Sequence, residues 1–158
     1  MGYEMALTLT DRVLSSLPGF VLKRVYTRAR LDKEVKIDTR TTNPLIFSLG
    51  AYVPELTAWF TIINFTNLTW KVHDFYAEVW LEQPLATATC VNKPEIARKS
   101  KRDIPTKCFL SETQTSRLRE AKQRGNMVAT IYVNARLESR IGLVEFEPTL
   151  ENRQVIIQ

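Results

Sequence analysis

The stretch LTAWFTIINFTNLTWKVHDFYAEVWL, residues 56–81, decides the fold, and it holds all three tryptophans of the chain, Trp59, Trp70 and Trp80. Up to the polar corner Asn64-Phe65-Thr66-Asn67, Leu56, Ala58, Phe60 and Ile62 alternate with Thr57, Trp59, Thr61 and Ile63, the period of a β-strand. Neither set is polar, which places this strand inside a sheet with one face on the core and the other partly covered. Past the corner the apolar phase runs through Trp70 and Val72, then moves by one residue to Phe75, Ala77, Val79 and Leu81. A slip of one residue is what a β-bulge produces, so a bulge is expected at His73-Asp74. The two runs read as a hairpin at the centre of the fold.

Working outward, Leu45 to Leu49 is a short apolar run closed by Gly50, and Val35 and Ile37 alternate with Lys36 and Asp38 as in a half-buried edge strand. Downstream, Leu85 to Val91 reads as a strand with small residues. Ile104 to Leu110 reads as another, whose Pro105 argues for an edge. From Met127 to Glu138 the alternation is cleanest, with Met127, Ala129, Ile131, Val133, Ala135 and Leu137 inward; Ile141 to Phe146 and Val155 to Ile157 complete the set. One helix is well marked: Ser111 and Gln114 form a capping box, Gly125 supplies the stop, and Leu118 and Ala121 make a narrow contact stripe. This order predicts a mostly β chain, an antiparallel immunoglobulin/fibronectin-III-like β-sandwich with one short surface helix.

Before it, Val13, Leu14 and Leu17 recur at helical spacing behind a Thr10 or Asp11 cap, and Pro18-Gly19 interrupts them. The run from Phe20 to Tyr26 follows as a strand or second helical turn. The chain thus divides into an amphipathic, basic N-terminal segment, 1–31, and a sandwich domain, 32–158.

The 158 residues carry a net charge of +5 and a pI near 9.4, a balance that favours contact with anionic surfaces. The basic residues gather in three groups. Lys23, Arg24, Arg28 and Arg30 stand beside apolar residues in the N-terminal segment, Arg98, Lys99, Lys101 and Arg102 in a loop, and Arg117, Arg119, Lys122 and Arg124 on the marked helix. If loop and helix share one side, they form a patch for lipid headgroups or phosphates. The loop has no interleaved aromatics to stack on bases, which disfavours nucleic acid as the partner. No apolar run reaches the ~18 residues that span a bilayer. With no secretory signal read in the sequence, the expected place is the cytoplasm, with peripheral membrane association through the basic surfaces. Cys90 and Cys108 read as small buried thiols, with a bridge open to them only if their strands pair.

His73 is the only histidine, which leaves no multi-histidine metal site. A triad would need Cys90 or Cys108 beside it, and Asp74, its neighbour along a strand, is expected on the opposite face. Glu145 and Glu147 share a strand face, where two carboxylates could couple for acid–base work, although solvent-facing glutamates on an amphipathic strand are the reading the pattern favours. Five glycines leave little room for a phosphate loop. Asn64-Phe65-Thr66 and Asn67-Leu68-Thr69 match the glycan acceptor pattern, which turn chemistry also accounts for. No catalytic residue, metal or cofactor is expected.

Three segments together, Phe60 to Asn67, Phe75 to Trp80 and Leu85 to Thr89, followed by the strand, helix and strand of Ile104 to Leu137, resemble the LEA14/WHy domain, the late-embryogenesis-abundant group 2 fold, over about residues 35–158. The family's corner usually has proline after its asparagine; here Phe65 follows Asn64. The resemblance implies a non-catalytic domain linked to stress tolerance, membrane-associated assemblies or ligand contact, with no catalytic residues to carry over. The expected function is therefore a binding or structural module acting by surface contact with a protein, lipid or small ligand. Edge strands Val35 to Asp38 and Ile104 to Leu110 could also pair copies of the chain. The alternative is a peripheral membrane or nonspecific nucleic-acid contact module that uses the basic N-terminal segment and the 98–124 surface.

Overall fold

The computed structural model describes residues 12–14 and 16–158. Thr10 and Asp11, the expected cap, lie outside them. Residues 12–14 and 16 are helical, and two short helices follow, α1 (Gly19–Val25) and α2 (Arg28–Glu34). Strands β1 (Val35–Thr39), β2 (Leu45–Ser48), β3 (Glu55–Asn64), β4 (Trp70–Leu81), β5 (Gln83–Thr89), β6 (Glu95–Ile96) and β7 (Ser100–Phe109) follow. Helix α3 (Glu112–Gln123) then precedes β8 (Val128–Ser139), β9 (Gly142–Phe146) and β10 (Thr149–Ile157).

The expected antiparallel sandwich is not what these strands build. β4, β5, β7, β3, β2, β10 and β8 are hydrogen-bonded neighbours in that order, and β8 pairs with β4 to close a seven-stranded barrel. The barrel is mixed, because β10 runs parallel to β2 through Val155↔Leu45, Ile156↔Ile46 and Ile157↔Phe47. Alternation reports only that one face of each strand is inward, and a sandwich and a barrel share that property. What separates them is the seam. Here the seams are the parallel β2–β10 pair and the single β5–β7 match at Thr89↔Lys107. At the end of the barrel nearest the Asn64 corner the walls do split, because β1 and β2 share one edge of β3, β5 and β6 one edge of β4, and β10 and β9 one edge of β8.

The central hairpin is also replaced. β3 bonds to β1, β2 and β7, whereas β4 bonds to β5, β6 and β8. The corner is therefore an arch that carries the chain from one wall to the other. Leu56, Ala58, Phe60 and Ile62 from one wall and Trp70, Val72, Phe75, Ala77 and Val79 from the other are all buried. Phe60 and Phe75 meet across the interior with ring centroids 5.0 Å apart. These large side chains, with Phe47 and Leu45, fill the barrel.

The arch is built from side chains that satisfy one another. Asn64, 1% exposed, donates from Nδ2 to the carbonyls of Leu68 (2.7 Å) and Ala97 (2.9 Å). Its Oδ1 accepts from Thr66 N (3.0 Å) and Thr66 Oγ1 (2.6 Å). Thr66 Oγ1 in turn accepts from Leu68 N and from the Trp70 indole, each at 3.1 Å. Every hydrogen-bonding position of the Asn64 amide is thus used, which offsets the cost of taking it out of water. Phe65 N donates to Glu34 O at 2.7 Å, so the proline usual in the resembled family would forfeit the bond that ties the arch to α2.

The bulge at His73 is present, since Val72 pairs with Leu137 and Asp74 with Arg136, leaving His73 extra. The inward phase of β8 matches the expectation from Ala129 to Leu137. Helix α3 begins with the Ser111–Gln114 capping box, and Gly125 follows it with φ +75°. The segment from Phe20 to Val25 is helical, and its Leu22, with Tyr26 and Leu31, is buried in the core.

Candidate binding surfaces

The three basic groups do not form one patch. Asn64 pairs with Ser100 and Glu55 with Phe109, so the two ends of the 10-residue β7 lie about 30 Å apart at ~3.3 Å per residue. Lys99 and Lys101 stand at the arch end, where Lys99 N and Nζ donate to Thr66 O and Phe65 O. Arg117, Arg119, Lys122 and Arg124 sit on or just after α3 at the other end, where Gln114 Nε2 reaches Leu85 O and Arg124 pairs with Glu82 at 3.6 Å.

The N-terminal basic residues join the arch end. Tyr26 Oη accepts from Asn67 N at 3.1 Å, and Gly19 lies so close to Arg140 O that an added Cβ would stand 2.7 Å from it. Within this group the roles differ. Arg28 pairs with Asp32 (3.0 Å), bonds to Glu145 O and covers the Phe146 ring, while Arg30 pairs with Glu34 (2.7 Å) over the Tyr26 ring. Arg102 donates to Glu95 O. Among the described residues, Lys23, Arg24, Arg98 and Lys99 are exposed and in no ion pair with an acidic side chain.

A second surface was not singled out by the sequence. Outward-facing Tyr76 and Glu78 of β4 lie opposite Asn134 and Tyr132 of β8. With Thr87, Glu147, Pro148 and Thr149 they line a groove of about 320 Å³ on the barrel flank. Tyr76 and Tyr132 are 43% and 44% exposed, large for aromatic rings on a sheet, and Trp80 packs edge-on against Tyr132 at 5.3 Å. Asn134 Nδ2 donates to both Glu145 Oε1 (2.6 Å) and Glu147 Oε1 (3.2 Å) and so aims the two carboxylates together. The available signal was the outward phase of β4 and β8, where tyrosine and glutamate replace the usual short polar residues.

The bulge brings His73 and Asp74 to the same side, against the expectation for strand neighbours, because the extra residue cancels the alternation. His73 Nδ1 lies 2.9 Å from Asp74 Oδ2, and Arg136 bonds the same oxygen. The hydrogen bond from His73, and then the Arg136 guanidinium, hold the Asp74 carboxyl below its ordinary value of 3.8. A carboxyl depressed on folding contributes stability that is complete above its unfolded pKa and lost as pH falls through the folded one. Asp74→Asn is therefore expected to destabilise at pH 7, with the gap to the parent chain closing only below about pH 3.8. Urea titrations at several pH values check this, and a gap that persists unchanged at pH 2–3 would contradict it.

Cys90 and Cys108 are free thiols, half-buried against the core, and burial raises both thiol pKa values. Asn64 is too buried to accept a glycan in the folded chain. Among the described residues no group of three or more His, Cys, Asp or Glu could hold a metal ion, and no helix is long and apolar enough to cross a membrane.

No family model and no curated protein matches the chain. Among solved structures it is similar to the structural-genomics target SoR45, with a TM-score of 0.49 and 13% identity over 80% of this chain and 89% of that one. A protein from Archaeoglobus fulgidus matches with a TM-score of 0.44 and 9% identity over 77% and 97% of the two chains. The Bordetella pertussis target BeR40 matches with 0.41 and 10% over 78% and 91%. At these scores and identities the likenesses decide neither fold nor function.

Proposed function

We propose that the chain is a non-catalytic recognition module that holds a cationic group of a protein partner or small ligand in the Tyr76–Tyr132 groove. The observation that carries this reading is the pairing of two half-exposed tyrosines with Glu78, Glu145 and Glu147 on one flank of a chain whose net charge is +5. Aromatic faces attract a cation through their quadrupole, and carboxylates at the rim supply the charge partner. A guanidinium or alkylammonium group satisfies both. The LEA14/WHy resemblance adds support only for a non-catalytic role, since the sandwich it implied is replaced by a barrel. The free Cys90 and Cys108 thiols fit a reducing compartment, in keeping with a cytoplasmic place for the module.

Titration with N-acetyl-arginine methylamide, followed by tryptophan emission, tests the groove, because Trp80 touches Tyr132. A single cation is expected to bind weakly, in the millimolar range typical of small contacts. Tyr132→Ala or Glu147→Gln should weaken it about fivefold, the equivalent of roughly 1 kcal/mol. An unchanged emission across the titration, or the same response in both variants, would remove the groove from consideration.

A further inference from the structure

The arch end of the barrel presents aromatic side chains together with unneutralised positive charge, and we propose that it is a docking face for an anionic lipid bilayer. Phe20 on α1 is 70% exposed and Phe65 in the arch 52% exposed. Neither is loosely held. α1 is pinned by buried Leu22 and Tyr26 and by the tight approach of Gly19 to Arg140 O, and Phe65 bonds through its N–H to Glu34 O and its carbonyl to Lys99 Nζ. At helical spacing Phe20, Lys23 and Arg24 share the outer face of α1. Arg98 and Lys99 stand next to the arch, where Lys99 N bonds Thr66 O.

Charge complementarity selects the occupant. The acidic residues of α2 at this end, Asp32 and Glu34, are taken up by Arg28 and Arg30, so Lys23, Arg24, Arg98 and Lys99 act outward. Exposed aromatics also occur at the α3 end, where Phe109 is 74% and Tyr52 fully exposed. There Lys107 pairs with Glu55, Arg124 pairs with Glu82 and Glu112 opens α3, which leaves Arg117, Arg119 and Lys122 as exposed cations and, among the described residues, Phe109 as the one exposed phenylalanine of that end. At the arch end two exposed phenylalanine side chains that can enter the headgroup boundary stand with cations that neutralise lipid phosphate. The absence of stacked aromatic ladders between the cations favours a bilayer over a nucleic-acid strand.

Vesicle flotation of the full chain tests this face, since removal of residues 1–31 would take Leu22, Tyr26 and Leu31 out of the core. The chain should float with phosphatidylcholine vesicles containing roughly a third phosphatidylserine and not with phosphatidylcholine alone. Lys23→Glu with Arg24→Glu should lower partition by at least about 25-fold, about fivefold for each cation removed. Phe20→Ser with Phe65→Ser should leave low-salt binding but abolish the part that survives raised salt. Phe109→Ser, equally exposed at the other end, should change nothing. Circular dichroism confirms that each variant keeps its fold. No flotation of the parent chain at low salt, an equal loss in Phe109→Ser, or retention on DNA without flotation would each overturn the proposal.

Discussion

Asn64→Ala is expected to lower the unfolding free energy by about 3–4 kcal/mol, the effect of leaving several buried groups unsatisfied at ~1–3 kcal/mol each. The amide joins two carbonyls, Leu68 O and Ala97 O, to a backbone N–H and a hydroxyl of Thr66. Alanine supplies none of these bonds at a site that is 1% exposed. Thr66 Oγ1 would also lose the acceptor that orients its proton, which weakens its hold on the Trp70 indole. Asn67→Ala provides the contrast. Among the described residues its Oδ1 is buried without a partner, so its removal should cost less than about 1 kcal/mol. Urea unfolding followed by tryptophan emission measures both, and equal shifts for the two variants would show that the arch does not depend on the Asn64 network.

How much of this was legible in the sequence follows from which forces act locally. The alternation in β3 and β8, the bulge at His73 and the Ser111 capping box are set by neighbours within a few residues, and each stands where the pattern placed it. Wall-to-wall connectivity is not local. Asn64 to Asn67 has the composition of a tight hairpin turn, and nothing in its residue types states that Asn64 reaches Ala97 O, 33 positions on, instead of closing a two-strand ladder. The same holds for the barrel, whose seam depends on β10 meeting β2 in parallel. The separation of the basic groups by the length of β7 becomes visible only once the register Asn64↔Ser100 is known. Of the groove only Glu147 stood out in the sequence, because its other residues come from β4, β5, β8 and the link after β9, and pattern alone does not bring these together.

Phe60→Ala and Phe75→Ala should each lower stability by about 3–5 kcal/mol, the usual cost of emptying a buried aromatic site. The two rings meet between the facing walls at 5.0 Å and an interplanar angle of 52°. A double-mutant cycle should give a coupling of about 1 kcal/mol, the excess that a tilted aromatic pair holds beyond its buried area. The coupling distinguishes the arch from a flat hairpin. In a hairpin turning at Asn64 to Asn67 the residue opposite Phe60 would be near Lys71, and Phe60 and Phe75 would lie too far apart along the ladder to interact. A coupling within error of zero would contradict the wall-to-wall packing.

The parallel β2–β10 pair sets an order of events in time as well as in space. β2 can pair at once with β3, which follows it within a few residues, but its second neighbour is made roughly a hundred residues later. Until then one edge of β2 and the mouth of the barrel stay unsealed, and the closing step must bring together distant parts of the chain at the full loss of loop entropy. Folding should therefore be slow for a chain of this size, with the seam last to form. An emerging chain carries the Ile46 edge open until β10 has been made.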